Sequence, residues 1–264
     1  MDLFDAIFFR KSTREYADRP LSPDMIENIC KLANQTEVLY KKIPLKVKFI
    51  KNGMDIQNIT DPLVGRYSKV KAPHYLVITS EKVDGYLENV GYAIEHLVLE
   101  LTSIGIGTCW IGGMVKKPLL NNVIKMGKSH IPVIIIGLGA PLSEEALTAN
   151  IVESKKRKEI KAFVEGPRDK ILMQMMDAVR LSPSSMNSQP WRFFINDSDI
   201  DVYTKTKSII GIKPFGTLNK IDIGIALCHF SIAAKHFGVS YKFEPLVDRE
   251  RNGLNYITTI HILH

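Results

Sequence analysis

The stretch GYAIEHLVLELTSIGIG at residues 91–107 has an ungapped echo 133 positions later (224 − 91), GIALCHFSIAAKHFGVS at 224–240. Gly91 meets Gly224, Ala93 meets Ala226, His96 meets His229 and Gly105 meets Gly238. In each copy apolar residues recur at helical spacing, and the run closes on a glycine suited to a left-handed C-cap. A β-like stretch follows. Two buried helices of one design predict a chain built twice. His96 and His229, at matched positions on apolar helices, read as core or helix-contact residues and not as ligands.

The flanks agree. SPDMIENICKLA (22–33) opens with Ser22–Pro23, a good cap and first-turn pair, and predicts an amphipathic helix leading into the strand LKVKFIK (45–51). PRDKILMQMMDAVRLS (167–182) predicts a helix leading into WRFFIN (191–196). HYLVITS (74–80), PVIIIGLG (132–139), GVSYKFEPL (238–246) and LNYITTIHI (254–262) supply further strands. Several of these strands read as half-exposed, so the expected class is α+β with mixed or antiparallel sheets flanked by helices. The charged stretch 143–167 is the best linker, which divides the chain into halves 1–160 and 161–264.

Composition narrows the function. The chain has 264 residues, 45% hydrophobic and 24% charged, with a net charge of +7, which favours anionic partners in general. Lys and Arg are spread along it without a zinc, homeodomain or RNP-type pattern, so no nucleic-acid partner is expected. Three widely separated cysteines form neither a disulfide framework nor a metal site. The opening MDLFDAIFFRK carries acids where a secretory leader needs bases, and the uncharged run 131–142 is shorter than the roughly 20 residues of a membrane span. A cytoplasmic protein without a membrane partner is expected. GIGTCW (105–110) and GLGAPL (137–142) each lack the third glycine of GxGxxG, and no Ser-His-Asp or HExxH pattern occurs.

Two stretches carry chemistry. RKSTREY (10–16) places three cations and two hydroxyls in seven positions. As a helix it sets Arg10 and Arg14 on one face; as a loop it also offers backbone N–H groups. It reads either as a phosphate cradle or as a solvated basic turn. SPSSMNSQPWRFF (182–194) spends Ser184, Ser185, Asn187, Ser188 and Gln189 in one connection, with Pro183 and Pro190 fixing its ends. It reads either as the lining of a polar ligand site or as a loop whose hydroxyls satisfy its own backbone.

Taken together, Arg10-Lys11-Ser12-Thr13-Arg14 and Ser182 to Trp191 resemble the motifs of the nitroreductase family of FMN enzymes. TCWIGG (108–113) and IIIGLGAP (134–141) are similar to further landmarks of that family. The resemblance covers most of 1–165 and recurs, fainter, in 167–262, as in the duplicated branch similar to the TM nitroreductases. It implies FMN as cofactor and NAD(P)H as a transient electron donor. Arg10 and Ser12, with Lys11 between them, would bind the phosphate. Arg14 would lie toward the pyrimidine edge. Trp110, Ile111, Gly112 and Gly113 would run near the hydride-accepting nitrogen, with Gly112 and Arg14 nearest the chemistry. Lys155 and Arg157, in the basic run 153–158, would complete the phosphate site, and Pro183, Ser184, Ser185 and Asn187 would contact the flavin from the other half. Trp191 would be core packing behind its loop, and Cys109 small and buried.

One departure from the family is informative. There both motifs belong to one subunit of a homodimer. Here the first half reads ANQTEVLYKKIPLK (33–46) where the serine-rich loop should be, and the second half lacks RxSxR. The resemblance therefore implies a fused pseudo-dimer, monomeric, with one flavin site retained and a planar small molecule, such as a nitroaromatic or quinone, as acceptor. A flavin-binding regulator without turnover, and a dehalogenating or flavin-cleaving relative, are the alternatives.

Overall fold

Asp2 starts the first helix: its carboxylate accepts the Asp5 N–H at 2.8 Å, capping α1 (Leu3–Phe9). The computed structural model describes residues 1–61, 70–112, 114–115, 120–143, 156–167, 169–205 and 213–263. The chain divides into two compact units, Met1–Ile151 and Val152–His264, so Arg157 and Lys158 belong to the second.

In the first unit Ser22 caps α2 (Pro23–Gln35) through the Met25 N–H, with proline in the opening turn as the sequence predicts. Next come β1 (Leu45–Ile50), α3 (Met54–Gln57), β2 (Thr60–Asp61) and β3 (His74–Glu81). The unit continues with α4 (Tyr86–Ser103), β4 (Gly107–Ile111), β5 (Met114–Val115) and β6 (His130–Gly139). The main sheet has the order β1-β3-β6-β4 and is antiparallel throughout. The strand β1 alternates lysines outward with apolar residues inward, as an edge strand should. β3 and α4 are apolar nearly all round and are correspondingly buried.

The second unit contains β7 (Val164–Glu165), α5 (Lys170–Arg180), β8 (Trp191–Asn196), β9 (Asp199–Lys205), α6 (Lys213–His236), β10 (Ser240–Glu244) and β11 (Leu254–Leu263). Its sheet order is β7-β8-β9-β11-β10, antiparallel except for the β7–β8 pair. With β7 set aside in this unit, and α1, α3, β2 and β5 in the first, the two successions match. Helix, strand, strand, long helix, strand, strand recurs as α2-β1-β3-α4-β4-β6 and α5-β8-β9-α6-β10-β11, with the same spatial order of the four strands.

The repeated helices even end alike. Gly105 and Gly238 are left-handed (φ 85° and 69°). The Ile106 N–H donates to the Leu101 carbonyl and the Val239 N–H to that of Ala234, each at 2.9 Å, 133 residues apart (234 − 101). Gly105 and Gly238 complete the motif through Thr102 and Lys235. His229 is buried with Nδ1 2.9 Å from the Ala178 carbonyl, and His96 is buried beside Glu37 and Glu100.

Candidate functional site

The first unit carries the arginine motif on an extended arm. α1 ends at Arg10, and residues 10–17 then run along the sheet as an added edge. Ser12 bridges Thr108 in parallel, and the Thr13 N–H donates to the Thr108 carbonyl at 2.8 Å. Further on, Tyr16 bridges Pro141, and its hydroxyl donates to the Gly137 carbonyl at 3.2 Å. The arm is thus neither the helix nor the free loop that its sequence allowed. Gly107 permits the approach: a Cβ there would lie 2.7 Å from Thr13 Oγ1.

Arg10 is buried, at 2% exposure, with Nε 3.5 Å from Glu95 Oε1. Glu95 comes from the buried face of α4, and its second oxygen accepts the Trp110 indole N–H at 3.0 Å. One carboxylate thereby ties the arm, the helix and β4 together. Burial pushes the Arg10 guanidinium down from its ordinary value, and Glu95 opposes that. Arg14 is exposed and reaches back to the Ser12 carbonyl at 3.4 Å. Lys11, Ser12, Trp110 and Ile111 are half-buried, and Gly112 is exposed. Thr13 Oγ1 is buried without a hydrogen-bond partner among the described residues. Burial pushes the Cys109 thiol up against the pull of Arg14 and Arg10. Gly113 and Lys155 lie outside the described residues.

The second unit carries the serine-rich loop between α5 and β8. Met186, Asn187 and Gln189 all take positive φ (51°, 54° and 49°), a region that Asn tolerates and that Met and Gln adopt only when their surroundings impose it. The surroundings are on hand. The Gln189 N–H donates to Ser184 Oγ at 2.9 Å, and Gln189 Oε1 accepts the Lys158 N–H at 2.8 Å. Asn187 Nδ2 donates to the Lys156 carbonyl at 2.7 Å, while Asn187 Oδ1 accepts from Arg157. Arg157 also donates to the Leu181 carbonyl at 3.2 Å, and Lys158 Nζ donates to the Ser188 and Gln189 carbonyls. Burial, with Arg192 and Lys205 nearby, pushes Lys158 down to about 8. From beneath, both carboxyl oxygens of buried Asp222 accept the Ser185 N–H at 3.1 Å. Burial pushes Asp222 up to about 8 against the Ser185 amide and the Ser188 hydroxyl. Trp191 is fully buried, edge-on to Phe163 at 6.4 Å.

The structure thus joins Arg157 to Asn187, both expected site residues, and shows the loop's polar groups engaged in fixing its own shape. Pro183, Ser184 and Ser185 are half-buried. Sequence reading missed Glu95, Lys158 and Asp222. Glu95 and Asp222 are acids inside apolar helices, the available signal for a buried polar role. Lys158 had no signal apart from its basic neighbours. Among the described residues no group of His, Cys, Asp or Glu could hold a metal ion, and no helix is long and apolar enough to cross a membrane.

The fold is shared with solved structures. A "putative nitroreductase" from Thermotoga maritima aligns over 99% of this chain and 93% of its own, at TM-score 0.63 and 21% identity. A nitroreductase family protein from Streptococcus pneumoniae aligns over all of its own length but 63% of this chain, at TM-score 0.51 and 15% identity. No curated protein matches the chain. The model of the family described as "Putative TM nitroreductase" matches residues 2–234. With its duplicated sheet order, its arginine arm and its clamped serine-rich loop, this chain belongs to that nitroreductase family.

Proposed function

We propose that the protein is an FMN-dependent oxidoreductase that passes a hydride from NAD(P)H to a nitroaromatic, quinone or similar planar acceptor. One observation carries the reading. A six-residue stretch, Ser184–Gln189, holds three non-glycine residues in left-handed backbone, fixed by Asp222, Arg157 and Lys158. Strain of about 1–3 kcal/mol at each of Met186 and Gln189 persists because the surroundings over-determine it, and such strain clusters at active sites and ligand clamps.

The donor set fits FMN. Arg10, Lys11 and Ser12 supply cations and a hydroxyl suited to a phosphate, with Lys155 and Arg157 as further cations. In this reading Arg10, oriented by Glu95, presents a fixed fork instead of a mobile one. Arg14 would place its charge toward the pyrimidine end. Trp110, Ile111, Gly112 and Gly113 would leave backbone close to the ring. Pro183, Ser184, Ser185 and Asn187 would contact the flavin. FMN, when bound, supplies the hydride chemistry; the protein binds it, orients it and excludes water.

Because the arm motif occurs once and the loop motif once, in different halves, we read the chain as a monomeric pseudo-dimer with one flavin, acting in the cytoplasm. The test is NAD(P)H oxidation by FMN-loaded protein with menadione as acceptor. Steady turnover supports the reading. A bound yellow cofactor that neither nicotinamide bleaches would refute the reductase and identify a flavin-binding protein without turnover.

A further inference from the structure

Asp222 stands two residues before Gly224 in α6, and the offset of the repeat sets it in register with Asn89 of α4 (222 − 89 = 133). Asn89 is fully buried. Its Oδ1 accepts the Tyr40 N–H at 2.7 Å and its Nδ2 donates to the Ile43 carbonyl at 3.4 Å. Residues 40–43 lie in the connection between α2 and β1, the counterpart of the serine-rich loop between α5 and β8. The same helix position therefore ties down the same connection in each unit, once with an amide and once with a carboxyl.

The two groups are not equivalent. An amide does this work at any pH. In a carboxyl so deeply buried, ionisation is penalised by more than the two loop donors favour it, so the closed site holds the neutral acid. We propose that Asp222 is the positioning residue of the Ser182–Gln189 loop and that it couples the closed form of that loop to a bound proton. That the loop faces a flavin rests on the function proposed above; the clamp itself does not.

The neighbouring charges are engaged elsewhere. On α5, Arg180 pairs with Asp177 at 2.7 Å; on α6, His229 faces the Ala178 carbonyl. Arg157 and Lys158 bond the loop's own acceptors, and Arg192 donates to the Gln189 and Trp191 carbonyls, with Lys205 nearby. On β9, Asp201 accepts from Thr259 Oγ1 at 2.6 Å and lies beside Arg249; on β10, Lys242 pairs with Glu244. None of these charges sets the Asp222 equilibrium, which burial and the two loop donors dominate.

The sign follows. Released into water the carboxyl ionises near 3.8; held beneath the loop it ionises near 8. Opening gives up a proton at every pH in between, so a rising pH favours the open loop until the effect levels off above about 8.

Hydrogen exchange of the full-length protein without flavin tests this. After correction for intrinsic exchange, protection of residues 184–189 should fall roughly 20-fold between about pH 6.5 and about pH 8.5. Asp222→Asn should remove the pH response while keeping the protection. The reciprocal Asn89→Asp should confer a falling protection with pH on residues 38–43. A flat wild-type profile, an Asp222→Asn profile as steep as wild type, or an Asn89→Asp protein without a response would each overturn the proposal. FMN titration of the same proteins separates the two readings: a pH-sensitive clamp on a protein that never binds FMN would refute the proposed function and uphold the clamp.

Discussion

Glu95 should be the costliest single polar residue to remove from the first unit. It is fully buried, faces the buried Arg10 guanidinium at 3.5 Å and accepts the Trp110 indole N–H at 3.0 Å. Glu95→Gln keeps the shape and an acceptor for Trp110 but removes the negative charge beside a buried cation. Breaking a buried pair from one side costs about 3–5 kcal/mol. Glu95→Leu also orphans the indole, adding about 1 kcal/mol or more. For a unit of this size each kcal/mol lowers Tm by about 2–4 °C, so Glu95→Gln should fall by roughly 6–20 °C. The double replacement Arg10→Met, Glu95→Leu should recover most of the loss, because the buried charge goes with its partner. The chain's two tryptophans lie one in each unit, so urea unfolding in a Trp191→Phe background reports the first unit through Trp110. If Glu95→Gln stays within about 1 kcal/mol of its parent, the Arg10–Glu95 pair is not the anchor of the arm.

His74 accepts the Leu21 N–H at Nε2 (3.0 Å) with Nδ1 2.7 Å from the Lys51 carbonyl, and burial holds its pKa below the ordinary value of 6.5. The stability it contributes is present above pH 6.5 and lost as pH falls below it; urea midpoints across this range should show the loss in wild type and not in His74→Gln. Gly107→Val should force the arm from β4, given the 2.7 Å approach to Thr13, at about 1–3 kcal/mol, and weaken FMN binding in a fluorescence titration. Cys30 is half-buried while Cys109 and Cys228 are buried, so a colorimetric thiol reagent should find one reactive thiol in the native protein and three after unfolding.

The repeat was legible because buried helices and strands leave periodic traces. The helix around His96 and the strands at 45–50, 74–81, 130–139 and 191–196 follow from apolar spacing, and Gly105 and Gly238 from cap chemistry. The helices extend further toward their N-termini than the matched stretches, to Tyr86 and Lys213, where the two copies no longer resemble each other. The arm's course along the sheet edge was not legible. RKSTREY has no apolar alternation, and what fixes it, the Thr108 carbonyl and Gly107, lies far along the chain. β9 (DIDVYTK) was also missed, since its apolar face is short. The second part of the expected linker is structured, because Lys156 to Lys158 bond the loop and β7 pairs with β8. In the loop, motif identity was readable and geometry was not, since the clamps come from Asp222 and Arg157, distant in sequence.

Counting the flavin released per chain from denatured, fully loaded protein tests the one-flavin reading most directly. One FMN per polypeptide is predicted, with Arg10→Ala and Asn187→Ala each lowering occupancy. Two per polypeptide, or full occupancy in either variant, would contradict it.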